Sequence, residues 1–294
     1  MTALQETQTT VPEQYEREGY VLFPQVLDAD LIQEASDHVA WLQEKNPHLR
    51  PENLGHVLMT DDPFWVRLIS DDRLLDIAEQ FIGPNIALFA SHYISKPPYD
   101  GQAVLWHQDG AYWPLEPMEV VTLWLAVDDS TRENGCMRVI PGTHKMELKG
   151  LQENRKVANV LNSETPPEFV DDSTAVDFEL QAGGVSVHHP NIIHGSDPNT
   201  SPKRRCGLTI RYIPTSTRIL LRGNPDQFSL TQGRWPSAFL LRGEAVPGIN
   251  EYNPWPRYVE GKHLPFRGCE NQRSNAPKEA TGLFFVGVEV VFEV

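Results

Sequence analysis

Two short stretches of this sequence carry residue types that bind metal ions. In WHQDG, His107 and Asp109 are separated by one residue. Because alternate residues of a β-strand project from the same face, an imidazole and a carboxylate at these positions would converge on one point. The second stretch, HHPNIIHGS, follows about eighty positions later and contains His188, His189 and His194. The pattern predicts a metal centre built from two segments that are distant in the chain.

The ligand types indicate which metal would bind and what chemistry it would support. His194 as the third ligand would complete a set of two histidines and one carboxylate, which leaves the other positions of an octahedral Fe(II) open for a co-substrate and oxygen. His188 and His189 compete for this third position. A structural zinc site would instead be closed, and the sequence contains no CxxC pair. Arg204 and Arg205 follow on the next predicted strand, where a guanidinium could form a bidentate ion pair with a dicarboxylate bound to the metal.

The elements that must position these residues change character along the chain. Leu31, Ala35, Val39 and Leu42 recur at helical spacing after an Asp-rich cap. A further helix is predicted over residues 61–83, where Gly83 and Pro84 end the pattern. The first part of the chain is therefore expected to be mainly helical.

Strand patterns dominate from residue 86 onward. Short β-branched and aromatic runs such as VVTLWLAVDD, DFELQAGGVSVHHP and GLTIRYIP alternate with turn clusters. Several strands without intervening helices predict a mainly β sandwich or jelly roll, not a parallel α/β sheet. We expect one oxygen-handling domain over residues 1–294: a mainly helical part at 1–85, a jelly-roll core with the metal site at 86–214, and an irregular lid and C-terminal segment at 215–294. The final run, GLFFVGVEVVFEV, could form a terminal strand.

Charge and composition exclude some classes of partner. The formal net charge is −15, so a phosphate backbone or an anionic membrane surface would be repelled, and neither nucleic acid nor membrane is expected as a partner. The three cysteines are odd in number and far apart, which favours a reducing compartment over a disulfide framework. The first residues lack the pattern of a secretory signal. We expect a cytoplasmic protein with a small-molecule substrate, whose oligomeric state the sequence does not indicate.

Four stretches of the sequence resemble those of a known protein family. The stretches HYISKPP, WHQDG, ENGCMRVIPGTHK and HGSDPNTSPKRR are similar to those of the phytanoyl-CoA dioxygenase family over roughly residues 15–215. The resemblance implies a double-stranded β-helix, a cupin-like jelly roll flanked by helices, in agreement with the strand pattern. It also implies a dioxygenase that uses Fe(II), 2-oxoglutarate and O2 to hydroxylate or otherwise oxidise an unactivated C–H bond. The substrate would be a small organic molecule, either a natural-product or a metabolic intermediate.

The resemblance assigns the principal site residues one by one. His107, Asp109 and His194 match the metal ligands of the family, which are also its catalytic centre. The arginine that binds the distal carboxylate of 2-oxoglutarate lies eleven residues after the last histidine, which selects Arg205 over Arg204. Strand alternation supports this choice, since Arg205 would then share the pocket face with Gly207 and Thr209 while Arg204 faces away.

Further residues are expected around this centre. Ser196 resembles a position that touches the co-substrate, and Thr122 and Trp124 lie where family members line the 2-oxoglutarate pocket. Tyr112 and Trp113 directly follow the HxD pair and are expected to border the substrate. Thr122 and Trp124 could equally be core strand residues, and the two aromatic residues could equally serve packing alone.

Two other function classes compete with this interpretation. One is a non-catalytic, cupin-like metal-binding or sensing protein. The other is a cupin enzyme that uses the metal without 2-oxoglutarate. Such sites usually gather several histidines and need no carboxylate-binding arginine, so the combination of the HxD pair, His194 and Arg205 favours the 2-oxoglutarate-dependent enzyme.

Overall fold

Antiparallel sheets form the centre of the molecule in the computed structural model, which describes residues 10–220 and 238–271. The strands, in chain order, are β1 Tyr20–Phe23, β2 Leu54–Gly55, β3 Ile86–Lys96, β4 Val104–His107, β5 Leu115–Glu116, β6 Val121–Ala126, β7 Met137–Val139, β8 Gln152–Glu153, β9 Ser163–Glu164, β10 Val176–Phe178, β11 Val185–His188, β12 His194–Ser196, β13 Arg205–Pro214, β14 Arg218–Ile219 and β15 Phe239–Arg242. Among the described residues, the larger sheet has the order β1-β11-β6-β13-β3-β15, with β2 also paired to β3. The smaller sheet has the order β10-β7-β12-β4.

The two main sheets pack face to face, and the site lies between them. Trp124 and Ala126 of the larger sheet form one buried cluster with Met137, Val139 and Phe178 of the smaller sheet. Alternation along β6 places Thr122 and Trp124 on this inner face and sends the intervening leucines to the outer face. This arrangement is the jelly roll that the strand pattern predicted.

Helices cover the outer face of the larger sheet. They are α1 Val11–Glu18, α2 Ala29–Lys45, α3 Pro63–Ile69 and α4 Asp72–Ile82. The apolar stripe predicted for α2 is buried against the sheet, and Asp28 caps this helix by accepting a hydrogen bond from the Leu31 amide. The single helix expected over residues 61–83 is wrong: Asp71 accepts a hydrogen bond from the Arg73 amide and starts α4 as a separate helix.

The late part of the chain returns to the helical side of the molecule. Strand β15 extends the larger sheet beside β3, and Phe266 packs against Phe64 of α3 with ring centroids 5.7 Å apart. Arg267 pairs with Glu34 of α2. The lid and terminal strand predicted within 215–294 are described only in part. Residues 238–271 contain β15 and are otherwise mostly irregular, whereas residues 221–237 and 272–294, which include the predicted terminal strand, lie outside the described residues. In the described ranges, no helix is both long enough and apolar enough to cross a membrane.

A buried polar triad connects the helical layer to the larger sheet. His38 of α2 places Nε2 3.0 Å from Asp62 Oδ2 and Nδ1 3.1 Å from the Tyr93 hydroxyl. The other oxygen of Asp62 accepts the Trp65 amide and caps α3. Burial by itself would raise the pKa of Asp62, but the hydrogen bonds from His38 and the Trp65 amide lower it below its usual 3.8. The triad therefore ties α2, α3 and β3 together inside an otherwise apolar layer.

We predict that His38→Ala lowers the free energy of unfolding by about 2–4 kcal/mol, because it leaves a cavity and two buried polar groups without a partner. Urea denaturation at pH 7 measures this effect. Gln33→Ala, at an exposed position of the same helix, is the matched control and should change stability by less than about 0.5 kcal/mol.

The same triad makes the free energy of unfolding depend on pH in the acid range. Because the pKa of Asp62 is lower in the folded than in the unfolded state, its contribution is present above the usual value of 3.8 and is lost as the pH falls below it. Equal destabilisation by His38→Ala and Gln33→Ala at neutral pH would contradict this role for the triad.

Candidate metal centre

The two histidines His107 and His194 lie side by side on adjacent strands of the smaller sheet. Strand β12 runs antiparallel to β4 with these residues directly paired, and their ring centroids are 4.1 Å apart. Nδ1 of His107 lies 2.8 Å from the Leu105 carbonyl oxygen, and Nδ1 of His194 lies 3.0 Å from that of Ile192. A carbonyl oxygen can only accept, so Nδ1 carries the proton in both rings. Both Nε2 lone pairs are therefore free for a metal.

Asp109 reaches the same point from a turn and not from a strand. Strand β4 ends at His107, and residues 109–112 form a 3₁₀ turn, so the expectation of two ligands on one strand is corrected. Gln108 stays extended between them, which preserves the alternation, and Asp109 Oδ1 lies 3.4 Å from His107 Nε2. The Gln108 side chain points the other way and donates to the Asn191 carbonyl oxygen at 2.7 Å.

The donor set fits a ferrous ion. His107, Asp109 and His194 each offer a ligand atom, and these atoms all lie within 4.8 Å of one another. All three side chains are buried, and Asp109 Oδ2 has no hydrogen-bond partner in the described part of the chain. Two imidazoles and one carboxylate on one side of a metal are typical of Fe(II) sites that keep coordination positions open.

The competing histidines lie outside this group. His189 accepts a hydrogen bond from the Asn191 amide at 3.0 Å and packs against His144. His188 is closer, with Nε2 4.0 Å from Asp109 Oδ2, but it is not part of the convergent set. The geometry thus favours His194 as the third ligand.

The electrostatic environment holds His194 and Asp109 in the forms that bind metals. Burial keeps the pKa of His194 well below its usual 6.5, so its ring is neutral. Burial would raise the pKa of Asp109, but the positive charge of the Arg211 guanidinium holds it well below 3.8. A neutral imidazole and an ionised carboxylate are the forms that bind metals.

The two adjacent arginines have different surroundings. Arg204 faces outward and makes a bidentate ion pair with Asp128, with both N–O distances 2.8 Å. Arg205 faces the cavity, donates to the Gly135 carbonyl oxygen at 3.0 Å and to Ser196 Oγ at 3.3 Å, and within the described ranges has no carboxylate partner. Burial lowers its pKa to about 10, so it remains charged at neutral pH. A buried, unpaired guanidinium is a site for an anionic ligand.

Lys96 lies beside Arg205 and was not singled out from the sequence. It is fully buried, and Nζ donates to Ser196 Oγ at 2.7 Å and to the carbonyl oxygens of Ser196 and Asp197. Burial and the charge of Arg205 hold its pKa well below the usual 10.5. The signal available for this residue was its position at the end of a long strand pattern, just before Pro97 and Pro98.

The remaining predicted co-substrate residues divide into two groups. Ser196 and Trp124 line the cavity that contains the three candidate ligands and Arg205, and the Arg205 guanidinium lies 5.5 Å from the Trp124 ring centroid. Thr122 is buried on the same sheet face, but it is not among the residues that line this cavity. Its neighbours in register are His188 and Arg211.

The two aromatic residues predicted to border the substrate lie beside residues that line the cavity. The Tyr112 hydroxyl lies 2.7 Å from Ser163 Oγ, and its ring is 6.0 Å from that of His107. Trp113 is buried against Phe89 and lies beneath the Arg211 guanidinium. Neither is among the residues that line the cavity, so direct contact with a substrate stays a prediction.

Comparison with known proteins agrees with this architecture. A model of the family described as "Phytanoyl-CoA dioxygenase (PhyH)" matches residues 15–207. The chain belongs to this family. The phytanoyl-CoA dioxygenase resemblance read from the sequence motifs is thereby confirmed.

Two curated relatives and one solved structure illustrate the similarity. A protein of Stutzerimonas stutzeri named "Probable alpha-ketoglutarate-dependent hypophosphite dioxygenase" is 32% identical over 52% of this chain and 54% of its own. "Phytanoyl-CoA dioxygenase 1" of Oryza sativa subsp. japonica is 31% identical over 55% of this chain and 57% of its own. The chain thus spans about half the length of the curated relatives it matches. The structure of the "non-heme monooxygenase" ThoJ superposes with a TM-score of 0.68 at 22% identity, over 83% of this chain and 87% of that chain, which confirms the fold.

We predict that Asp109→Ala and His194→Ala each weaken Mn(II) binding by more than about a hundredfold. Changing a residue that only hydrogen-bonds to a metal ligand lowers the metal affinity by about 10–100-fold, so loss of a ligand itself should lower it more. Anaerobic calorimetric titration measures the dissociation constant. His189→Ala is the control, because this ring lies outside the convergent set. Equal loss of affinity in the control would show that the metal binds elsewhere.

Proposed function

We propose that this protein is a dioxygenase that depends on Fe(II) and 2-oxoglutarate and oxidises an unactivated C–H bond of a small organic molecule. The observation that carries the proposal is the pairing of two features in one cavity. One is the convergent set of His107, Asp109 and His194, and the other is the buried Arg205, which has no carboxylate partner among the described residues. The first suits an open ferrous site, and the second suits the distal end of a dicarboxylate.

The residues of the chain divide the work between binding and positioning. When bound, iron, 2-oxoglutarate and O2 supply the oxidising chemistry. Arg205 binds the distal carboxylate of the dicarboxylate, and Ser196 Oγ, which lies within hydrogen-bond distance of both Arg205 and Lys96, orients that end of the site. The Trp124 ring lines the same end of the cavity, beside the Arg205 guanidinium, and excludes water from it.

The cavity, more than family membership, indicates the size of the substrate. The curated relatives are named for hypophosphite and for phytanoyl-CoA, which differ greatly in size. A narrow cavity lined by buried side chains supports a small molecule. The three cysteines are all free, which supports a reducing, cytoplasmic location.

We predict that Arg205→Gln raises the dissociation constant for 2-oxoglutarate by about 10–100-fold while Fe(II) binding is retained, because a charge-assisted bidentate contact is lost. Anaerobic titration with 2-oxoglutarate, followed by the visible charge-transfer band of the Fe(II) chelate, measures it. Arg204→Gln is the matched control on the neighbouring position of the same segment, and its affinity should stay within about threefold of wild type. Absence of the band in folded wild-type protein would favour a metal-binding protein that does not use 2-oxoglutarate.

We predict that Gly207→Ala also weakens the binding of 2-oxoglutarate, in this case by steric displacement. A Cβ atom at this position would lie 2.0 Å from a ring carbon of Trp124, so the substitution must displace the indole that lines the Arg205 end of the cavity. The dissociation constant for 2-oxoglutarate should rise by about tenfold or more. Gly55→Ala, where a Cβ atom meets nothing within 4 Å, is the control. Unchanged affinity in Gly207→Ala would place the co-substrate away from Trp124.

A further inference from the structure

The cavity has a second basic end, at Arg211. This residue lies six positions after Arg205 on β13, so both side chains project from the inner face, and their Cα atoms are roughly 20 Å apart along the strand. The candidate ligand Asp109 is beside the Arg211 end, with Oδ2 3.5 Å from Nη2. The residues matched by the family model end at 207, so Arg211 lies beyond them.

Arg211 is fixed in place by its neighbours. Nη1 lies 3.0 Å from both His92 Nδ1 and Thr209 Oγ1, and the guanidinium carbon is 5.1 Å from the Trp113 ring centroid. Burial lowers the pKa of His92 to about 3, so its ring is neutral and Nδ1 can accept. A guanidinium held on one edge and one face is preorganised for a ligand on the remaining edge.

Among the described residues, the remaining edge of Arg211 makes one ion-pair contact and no hydrogen bond. The residue is 7% exposed, and its Nε has no hydrogen-bond partner among the described residues. The contact of Nη2 with Asp109 is an ion pair without a hydrogen bond. Nearby, both ring nitrogens of His188 are also buried and unpartnered in the described part of the chain. Buried donors without acceptors are costly, and a cluster of them beside a cavity indicates a polar ligand.

Charge balance indicates the sign of that ligand. Four groups of the loaded site have formal charges that sum to zero: a divalent metal, the Asp109 carboxylate, a dicarboxylate and the Arg205 guanidinium. The charge of Arg211 then remains, because its nearest carboxylate is engaged by the metal. A protonated Lys96 would add to this surplus. An uncompensated buried cation is unfavourable, so the loaded site has room for one more negative charge.

We propose that Arg211 anchors an anionic group of the primary substrate, a small organic acid with a carboxylate or phosphonate head. The Nε–Nη2 edge presents two parallel donors, which match the two oxygens of such a group. This inference rests on the proposed function, since it assumes that 2-oxoglutarate fills the Arg205 end. It places the cation that binds the substrate on β13.

The test compares acids with neutral molecules of the same shape. Full-length protein is saturated with Mn(II) and 2-oxoglutarate, and benzoate and benzamide, isobutyrate and isobutyramide, and phenylphosphonate are titrated by ligand-observed NMR. The expected result is that each carboxylic acid binds at least about tenfold more tightly than its amide, that phenylphosphonate also binds more tightly than benzamide, and that Mn(II) enhances the relaxation of the bound probe. Equal affinity of acids and amides for wild type would overturn the proposal without any variant.

Variants separate an anchor from a residue that positions Asp109. Arg211→Gln should abolish the preference for acids and leave the Mn(II) and 2-oxoglutarate dissociation constants within about threefold of wild type. Arg211→Lys should keep a reduced preference, because it retains the charge but not the paired donors. Arg204→Gln is the matched control with full preference. Retained preference in Arg211→Gln, or a loss accompanied by tenfold weaker Mn(II) binding, would contradict the anchor.

The titrations also distinguish this inference from the function beneath it. Wild-type protein that fails to bind Mn(II) or 2-oxoglutarate refutes the proposed function, and the acid–amide comparison on metal-free protein then tests Arg211 alone. Wild-type protein that binds both but does not prefer acids refutes only the anionic substrate.

Discussion

The direct pairing of β4 with β12 is the constraint on which the site depends. It sets His107 opposite His194, and the backbone carbonyls two residues before each ring orient both imidazoles in the same way. Asp109 then needs only one extended residue and a short turn to reach the same point. Because each ligand is fixed by backbone geometry, the centre is preorganised before any metal binds.

The larger sheet supplies the charges that a metal alone does not provide. Strand β13 carries Arg205 toward one end of the cavity and Arg211 toward the other. The two histidine ligands project from the facing sheet, and Asp109 projects from the turn after β4. Arg204, one residue from Arg205, is neutralised by Asp128 on the outside. Alternation along one strand thus separates a structural ion pair from cations reserved for ligands.

Much of this arrangement was predictable because it depends on local periodicity. Strand alternation and the family motifs together predicted the HxD pair, the choice of Arg205 and the jelly roll, and helical spacing predicted the buried face of α2. Lys96 and Arg211 were not assigned, although continuing the alternation from Arg205 through Thr209 reaches Arg211. Their roles depend on which residues of other strands lie beside them, and sheet register is set by non-local pairing. The break between α3 and α4 was missed because a mid-run aspartate can be a cap or a surface residue.

The most direct test of the central claim is an anaerobic crystal structure of the protein with Fe(II) and 2-oxoglutarate. We expect iron bonded to Nε2 of His107, Nε2 of His194 and a carboxylate oxygen of Asp109, with the distal carboxylate of the co-substrate on Arg205. Iron held by His188 or His189, or a 2-oxoglutarate whose distal carboxylate rests on Arg211, would contradict the account.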